Sequence, residues 1–193
     1  MRKREELSVA ELRLYTVGHS NRTLDQLIEL LRAAQSQILV DVRAYPVSAR
    51  FPHFSGDSIR AAMEAVGIDY HWAGRNLGGM RKPRPDSRHL ALDPRGLRGY
   101  ADYMETKEFE RAVRQLMALA GRGRTVLLCA ERQPEDCHRS LIADYLTLNG
   151  ASVVHLIDGL EQRAHQLSPQ ARRESATLTY DRQCSLSLDL PSY

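Results

Sequence analysis

Thr125-Val-Leu-Leu-Cys129-Ala-Glu131-Arg-Gln-Pro-Glu-Asp-Cys137-His138-Arg139-Ser140-Leu-Ile-Ala is the stretch whose reading sets the fold class. Its first five residues form an apolar, β-favouring run after the helix-ending Gly121, which predicts a strand. A polar turn holding Pro134 follows, and from Ser140 to Leu148 the pattern is helical until Gly150 stops it. Strand, polar turn and helix in this order are the unit from which parallel sheets are built.

The same alternation extends to both sides. Leu12 to Val17 predicts a first strand, closed by Gly18-His19-Ser20-Asn21. Thr23 caps the next helix, with Gln26 completing a capping box, and Leu24, Leu27, Ile28, Leu31 and Ala34 recur at helical spacing. Ile38 to Val42 is a second strand, continuous enough to be covered on both faces. After a loop broken by Pro46 and Pro52, Asp57 is the expected cap of a helix carrying Ile59, Ala62, Met63 and Val66, and Gly67 ends it. Ile68 to Trp72 is a third strand. A long irregular segment, 73–97, leads to a short helix at Tyr100–Met104 and a longer one begun by Thr106. Val153 to Ile157 is the last clear strand. The expectation is a three-layer α/β sandwich, a mostly parallel sheet with helices on both faces and right-handed crossovers, over residues 12–160. Residues 161–193 read as a polar, aperiodic C-terminal extension, packed or partly mobile, in which Leu178 to Tyr193 either adds a strand or stays loose.

Composition narrows the class. The chain of 193 residues has 42% hydrophobic and 26% charged residues, an ordinary globular balance. Three cysteines (Cys129, Cys137 and Cys184) are too few and odd in number for a disulfide framework. No apolar run reaches the length of a membrane helix and the charged start lacks a signal-peptide core, so a cytoplasmic protein without a membrane partner is expected. The net charge of +3 is unevenly spread. Arg75, Arg81, Lys82, Arg84, Arg88, Arg95 and Arg98 face only Asp86 and Asp93, which gives 75–98 a net +5 and leaves the rest of the chain at −2. A basic strip on a slightly acidic body is a footprint for an anionic partner.

In open parallel sheets, ligands lie beyond the carboxyl ends of the strands. That rule gathers His19, Ser20 and Asn21, then Asp41 and Arg43, then His71 and Trp72, then Cys129 and Glu131 at one edge. The helix start at Cys137–Ser140 offers unpaired N–H groups and a positive dipole end to a phosphate, sulfate or carboxylate. Arg139 can add a forked contact, with His138 and Ser140 beside it. Cys137, at that positive end, is the candidate nucleophile. Glu131 is a candidate base, with His19 and Asp41 as further catalytic candidates. Asp41-Val42-Arg43 also reads as a structural ion pair with Arg139 or Arg50. Gly78 and Gly79 allow close approach of the backbone to a ligand, beside the basic Arg81, Lys82 and Arg84. The spacing of Cys129 or Cys137 to Arg139 does not fit a cysteine-phosphatase or sulfurtransferase loop. Cys129, Cys137 and His138 are of metal-ligand type, with His19, His71 or Asp41 as additions, but paired Cys-x-x-Cys or His-x-x-x-His spacing is missing. No metal ligand set is therefore assigned, and no cofactor is expected.

Six ordered motifs resemble a widespread bacterial family, the domain-of-unknown-function 488 family. They are Tyr15-Thr-Val-Gly-His-Ser-Asn-Arg22, Leu39-Val-Asp-Val-Arg43, Pro52-His-Phe54, Leu77-Gly-Gly79 with Arg81-Lys-Pro-Arg-Pro85, Gly99-Tyr-Ala-Asp-Tyr-Met104, and Leu128-Cys-Ala-Glu131 through Cys137-His-Arg-Ser140. The resemblance spans roughly residues 14–158 and implies a Rossmann-like domain. It implies no activity and no catalytic residue, and Cys184 lies outside it.

Three functions compete on these residues. The first is a hydrolase or transferase with an anion-binding crevice, acting on a phosphate-containing nucleotide or nucleic acid. The second is a non-catalytic nucleic-acid-binding module using the 75–98 strip and the nearby Tyr70, Trp72, Tyr100 and Tyr103. The third is a metal- or thiol-dependent protein.

Overall fold

The computed structural model describes residues 12–93, 96–159, 161–174 and 177–182. Its strands are β1 (Arg13–Gly18), β2 (Ile38–Asp41), β3 (Asp69–Trp72), β4 (Thr125–Cys129), β5 (Ser152–Asp158), β6 (Glu161–Ala164), β7 (Ala171–Glu174) and β8 (Thr177–Tyr180). Its helices are α1 (Leu24–Ala33), α2 (Gly56–Ala65), α3 (Gly74–Leu77), α4 (Arg98–Met104), α5 (Lys107–Ala120) and α6 (His138–Leu148).

Six strands form one sheet in the order β3-β2-β4-β1-β5-β6, parallel except for β6. β1, β2 and β4 are apolar on both sides because each side has its own core. Tyr15, Val17, Leu39, Val126 and Leu128 meet α1 and α2 on one face. Leu14, Val40 and Leu127 meet α4, α5 and α6 on the other. The result is a three-layer, Rossmann-like sandwich, as the alternation predicts. Phe109 of α5 is fully buried and makes edge contacts with Tyr100, Tyr103 and Tyr145. Truncating such a residue to Ala costs about 3–5 kcal/mol.

Caps decide where the helices start. Thr23 accepts from the Gln26 N–H, and the Gln26 side chain accepts from the Thr23 N–H at 2.9 Å, so the predicted capping box is present. α2 differs from expectation. Ser55, not Asp57, caps it, and Asp57 sits in the first turn, where its charge still favours the helix dipole. α6 starts two residues earlier than the pattern suggests, at His138, with Cys137 in the cap position.

The described residues past 160, namely 161–174 and 177–182, are built into the fold. β6 extends the main sheet, while β7 and β8 pair as a separate antiparallel ladder. Ala171, Leu178 and Tyr180 enter the core beside α6. The Tyr180 hydroxyl donates to Asp144 of α6 at 2.9 Å, and its backbone N–H donates to His89 Nδ1 at 3.2 Å. The expected strand near Leu178 is β8; the rest of that expectation, residues 183–193 with Cys184, lies outside the described residues.

β1 and β4 are neighbours whose connections leave in opposite directions. β1 runs through α1 over one face to β2, and β4 runs through α6 over the other face to β5. Diverging connections open a crevice at the carboxyl ends of the two strands. The His19 N–H donates to the Cys129 carbonyl at 2.9 Å and ties the two strand ends together at its floor. Among the described residues, no helix is long and apolar enough to cross a membrane.

Candidate functional site

A cleft of about 620 Å³ opens at this point. Cys129 is the last residue of β4, Glu131 lies two residues on, Cys137 caps α6 and His138 is its first residue; all four line the cleft. His138 is the hub. Its Nε2–H donates to the Val42 carbonyl at 3.1 Å, because a carbonyl can only accept. In the singly protonated tautomer that this bond selects, Nδ1 is the lone-pair side of the ring. It lies 3.8 Å from Cys129 Sγ and 3.7 Å from Cys137 Sγ. The edge of Tyr100 closes one side of the ring. Gly79 closes another, and a Cβ there would come within 2.5 Å of Nδ1.

The two thiols share one environment unequally. Burial alone pushes Cys137 up, but its contacts with Cys129 and His138 and the Arg139 charge outweigh it and hold Cys137 well below its ordinary value. Cys129 is pushed well above its ordinary value, first by its hydrogen bond to Cys137 and then by burial. Cys129 Sγ also stands 3.4 Å from Glu131 Oε2. Burial, followed by the negative charge on Cys137, raises the Glu131 carboxyl.

Behind this cluster lies a paired layer. The buried carboxylate of Asp41 accepts from the Arg43 backbone N–H at 3.0 Å, from Arg43 Nε at 2.9 Å, from Arg43 Nη2, and from the Tyr70 hydroxyl at 2.8 Å. Arg43 Nη1 donates to the Phe54 carbonyl and to His19 Nε2. His19 Nδ1–H donates to the Ser20 carbonyl, so both ring nitrogens are engaged. Burial and the Arg43 charge lower His19 to about 4, which keeps it neutral. Arg43 and His19 reach the cleft wall; Asp41 does not, and its position is that of an orienting partner for Arg43.

Arg139 has a different place from the one expected at an anion-binding helix start. Its side chain is 1% exposed and does not line the cleft. It donates to the carbonyls of Glu131 and Arg132, at 2.5 and 2.7 Å, and braces the turn between β4 and α6. Two leading N–H groups of that helix are also taken, Cys137 N–H by the Pro134 carbonyl and Ser140 N–H by the Cys137 carbonyl. Ser140 Oγ donates to the Cys137 carbonyl, and Ser140 faces another cavity. Ser20 bonds to Asn21 away from the cleft, and Gly78 packs its backbone against Ala44 and the Gly74 carbonyl. His71 is exposed on β3, apart from the sulfur cluster.

Of the basic strip, Arg81 and Lys82 line the cleft, Arg81 with its guanidinium 3.9 Å above the Tyr103 ring. Arg84 instead pairs with Glu105 and Asp102, and Arg88 with Glu105 and Glu174. The lip of the cleft carries residues that the sequence reading did not single out. Tyr45, Val47 and Met80 are 73%, 81% and 79% exposed. Their signal was present. Each is an apolar residue outside any periodic run, next to Pro46 or following Gly78-Gly79, so no helix or strand buries it.

The family model described as Domain of unknown function DUF488 matches residues 23–146, well over half of the chain. The chain belongs to this family. The DUF488 match runs from the cap of α1 into α6 and contains Asp41, Arg43, Cys129, Glu131, Cys137 and His138, while His19 precedes it. No curated protein and no solved structure gives a match to the chain.

Proposed function

We propose that the cleft is the active site of a hydrolase or transferase that acts on a phosphate-containing nucleotide or on nucleic acid. The observation that carries this reading is the succession of three chemistries along one cleft. Tyr45, Val47 and Met80 give an apolar lip suited to the face of a base, Arg81 and Lys82 give positive charge on the wall, and Cys129, Glu131, Cys137 and His138 give a reactive floor. Glu131 is the proton carrier. It takes the proton from the attacking water or acceptor hydroxyl and returns it to the leaving group, while the sulfur–imidazole cluster faces the reacting centre.

The experiment is a titration of the full chain with nucleotides and short single strands, followed by thermal shift and calorimetry, with turnover of any bound ligand assayed by product analysis. Binding that weakens linearly against log salt, with conversion that is lost in Glu131→Gln, supports the reading. No nucleotide or nucleic-acid binding at low salt overturns it. The non-catalytic nucleic-acid module has less to stand on, because Arg84 and Arg88 of its strip are already paired with acids of the same chain.

A further inference from the structure

We propose that Cys129, Cys137 and His138 form a zinc site whose fourth position opens into the cleft beside Glu131. The three ligand atoms lie within 4.8 Å of one another, and all three residues are buried. Zn–S bonds of about 2.3 Å and a Zn–N bond of about 2.0–2.1 Å at tetrahedral angles put sulfur and nitrogen about 3.6 Å apart. The two separations here are 3.8 and 3.7 Å. These two sulfur–nitrogen separations need only a slight contraction to close on an ion.

The imidazole is prepared for that role. Metal-bound histidines almost always give their second N–H to a carbonyl or carboxylate, which fixes the tautomer and aims the lone pair. His138 does so through Val42, and Gly79 and Tyr100 leave the ring little room to turn. Both cysteines are free thiols. Two thiolates and one imidazole select a borderline-soft ion, and a dication among two thiolates gives a neutral buried centre.

Three protein ligands with an open position are the pattern of catalytic rather than structural zinc. Among the described residues no fourth ligand-type side chain joins the cluster. Glu131, whose Oε2 is 3.4 Å from Cys129 Sγ, stands where it reaches a water in the open position. That water loses its proton to Glu131 and its oxygen bonds to the substrate centre. The bond to the leaving group breaks, and Glu131 returns the proton to the departing atom. This step rests on the hydrolase reading above; the metal site itself rests on geometry alone.

The test uses the full chain, stripped with chelator under reducing conditions and titrated separately with Zn²⁺ and Co²⁺. One equivalent should bind, with a thiolate-to-metal charge-transfer band for Co²⁺. Cys129→Ser and Cys137→Ser should each lose more affinity than the about 10–100-fold that removal of a supporting hydrogen bond costs. Should a serine variant fail to fold, alkylation of the parent chain decides: zinc should protect Cys129 and Cys137. Failure to bind stoichiometrically, retained affinity in Cys137→Ser, or absence of protection overturns the site. Stoichiometric zinc without nucleotide binding leaves the site standing and defeats the functional reading; nucleotide binding without zinc does the reverse.

Discussion

His138 Nε2 and the Val42 carbonyl, 3.1 Å apart, tie the first residue of α6 to the backbone just past β2. One hydrogen bond between two layers of the sandwich thereby aims an imidazole lone pair at two sulfurs. The cleft floor is set by the sheet edge.

Gly79→Ala tests how tightly that aim is held. The new Cβ would meet Nδ1 at 2.5 Å, so the ring must shift. The expected outcome is a stability loss of about 1–3 kcal/mol, as for other overpacked sites. Zn²⁺ affinity should fall about 10–100-fold. Calorimetry on the chelated protein reads the second effect and urea unfolding the first.

Arg139→Ala separates a brace from an anion clamp. The buried guanidinium holds two carbonyls of the β4–α6 turn, and hydrogen bonds to a charged group contribute about 1.5–3 kcal/mol each. Unfolding in urea should show a loss of about 2–5 kcal/mol. A variant as stable as the parent that no longer binds nucleotide would return Arg139 to ligand contact.

Asp41→Asn leaves Arg43 buried with its main counter-charge removed. Breaking such a pair typically costs about 3–5 kcal/mol. The melting temperature should fall accordingly, and binding at the cleft should weaken through the displaced Arg43. Unchanged stability would show that the carboxylate charge is not needed there.

The pH dependence follows from a chain of hydrogen bonds running from β1 through β5 to α6. Thr16 Oγ1 meets His155 Nδ1 at 2.7 Å, His155 Nε2 meets His165 Nδ1 at 2.9 Å, and His165 Nε2 meets Asp144 Oδ1 at 2.9 Å. Burial, followed by the charges of His165, Arg139 and Arg163, lowers His155 from 6.5 to about 3. The unfolded chain accepts a proton that the folded chain refuses. This contribution to stability is full above pH 6.5 and is lost as pH falls toward about 3. Melting temperature against pH should show the decline in the parent and a shallower one in His155→Gln; parallel curves would rule His155 out as its source.

Tyr45→Ala probes the lip. Loss of one base-stacking surface costs about 1–3 kcal/mol, or roughly 5–150-fold in affinity. The exposed side chain should leave the melting temperature of the unliganded protein nearly unchanged. Equal nucleotide affinity in the two proteins would remove the base from this position.

Much of the fold was readable because β1, β2, β4, α1 and α5 each carry an uninterrupted periodic signal. β6 was not readable. All four of its residues, Glu161 to Ala164, are exposed, and only the backbone of β5 gives them a strand. Asp57 and Ser55 both suit a helix cap, and the Ser55 hydroxyl is the one that accepts from the Ser58 N–H. At the site, the strand-end rule placed His19, Arg43, Cys129 and Glu131 at one cleft, and the helix start added Cys137 and His138. The helix-start argument failed for Arg139 because a sequence does not say whether a guanidinium turns outward or into its own loop. The sulfur–imidazole cluster escaped the spacing test because its members come from a strand end and a helix cap eight residues apart, joined only by the turn between them.

β6 also shields. Without it, β5 would present an unsatisfied backbone rim bordered by Val153, Leu156 and Ile157, which are buried in the intact chain. Chains cut after residue 159 would recruit strands from one another along the bared edge of β5.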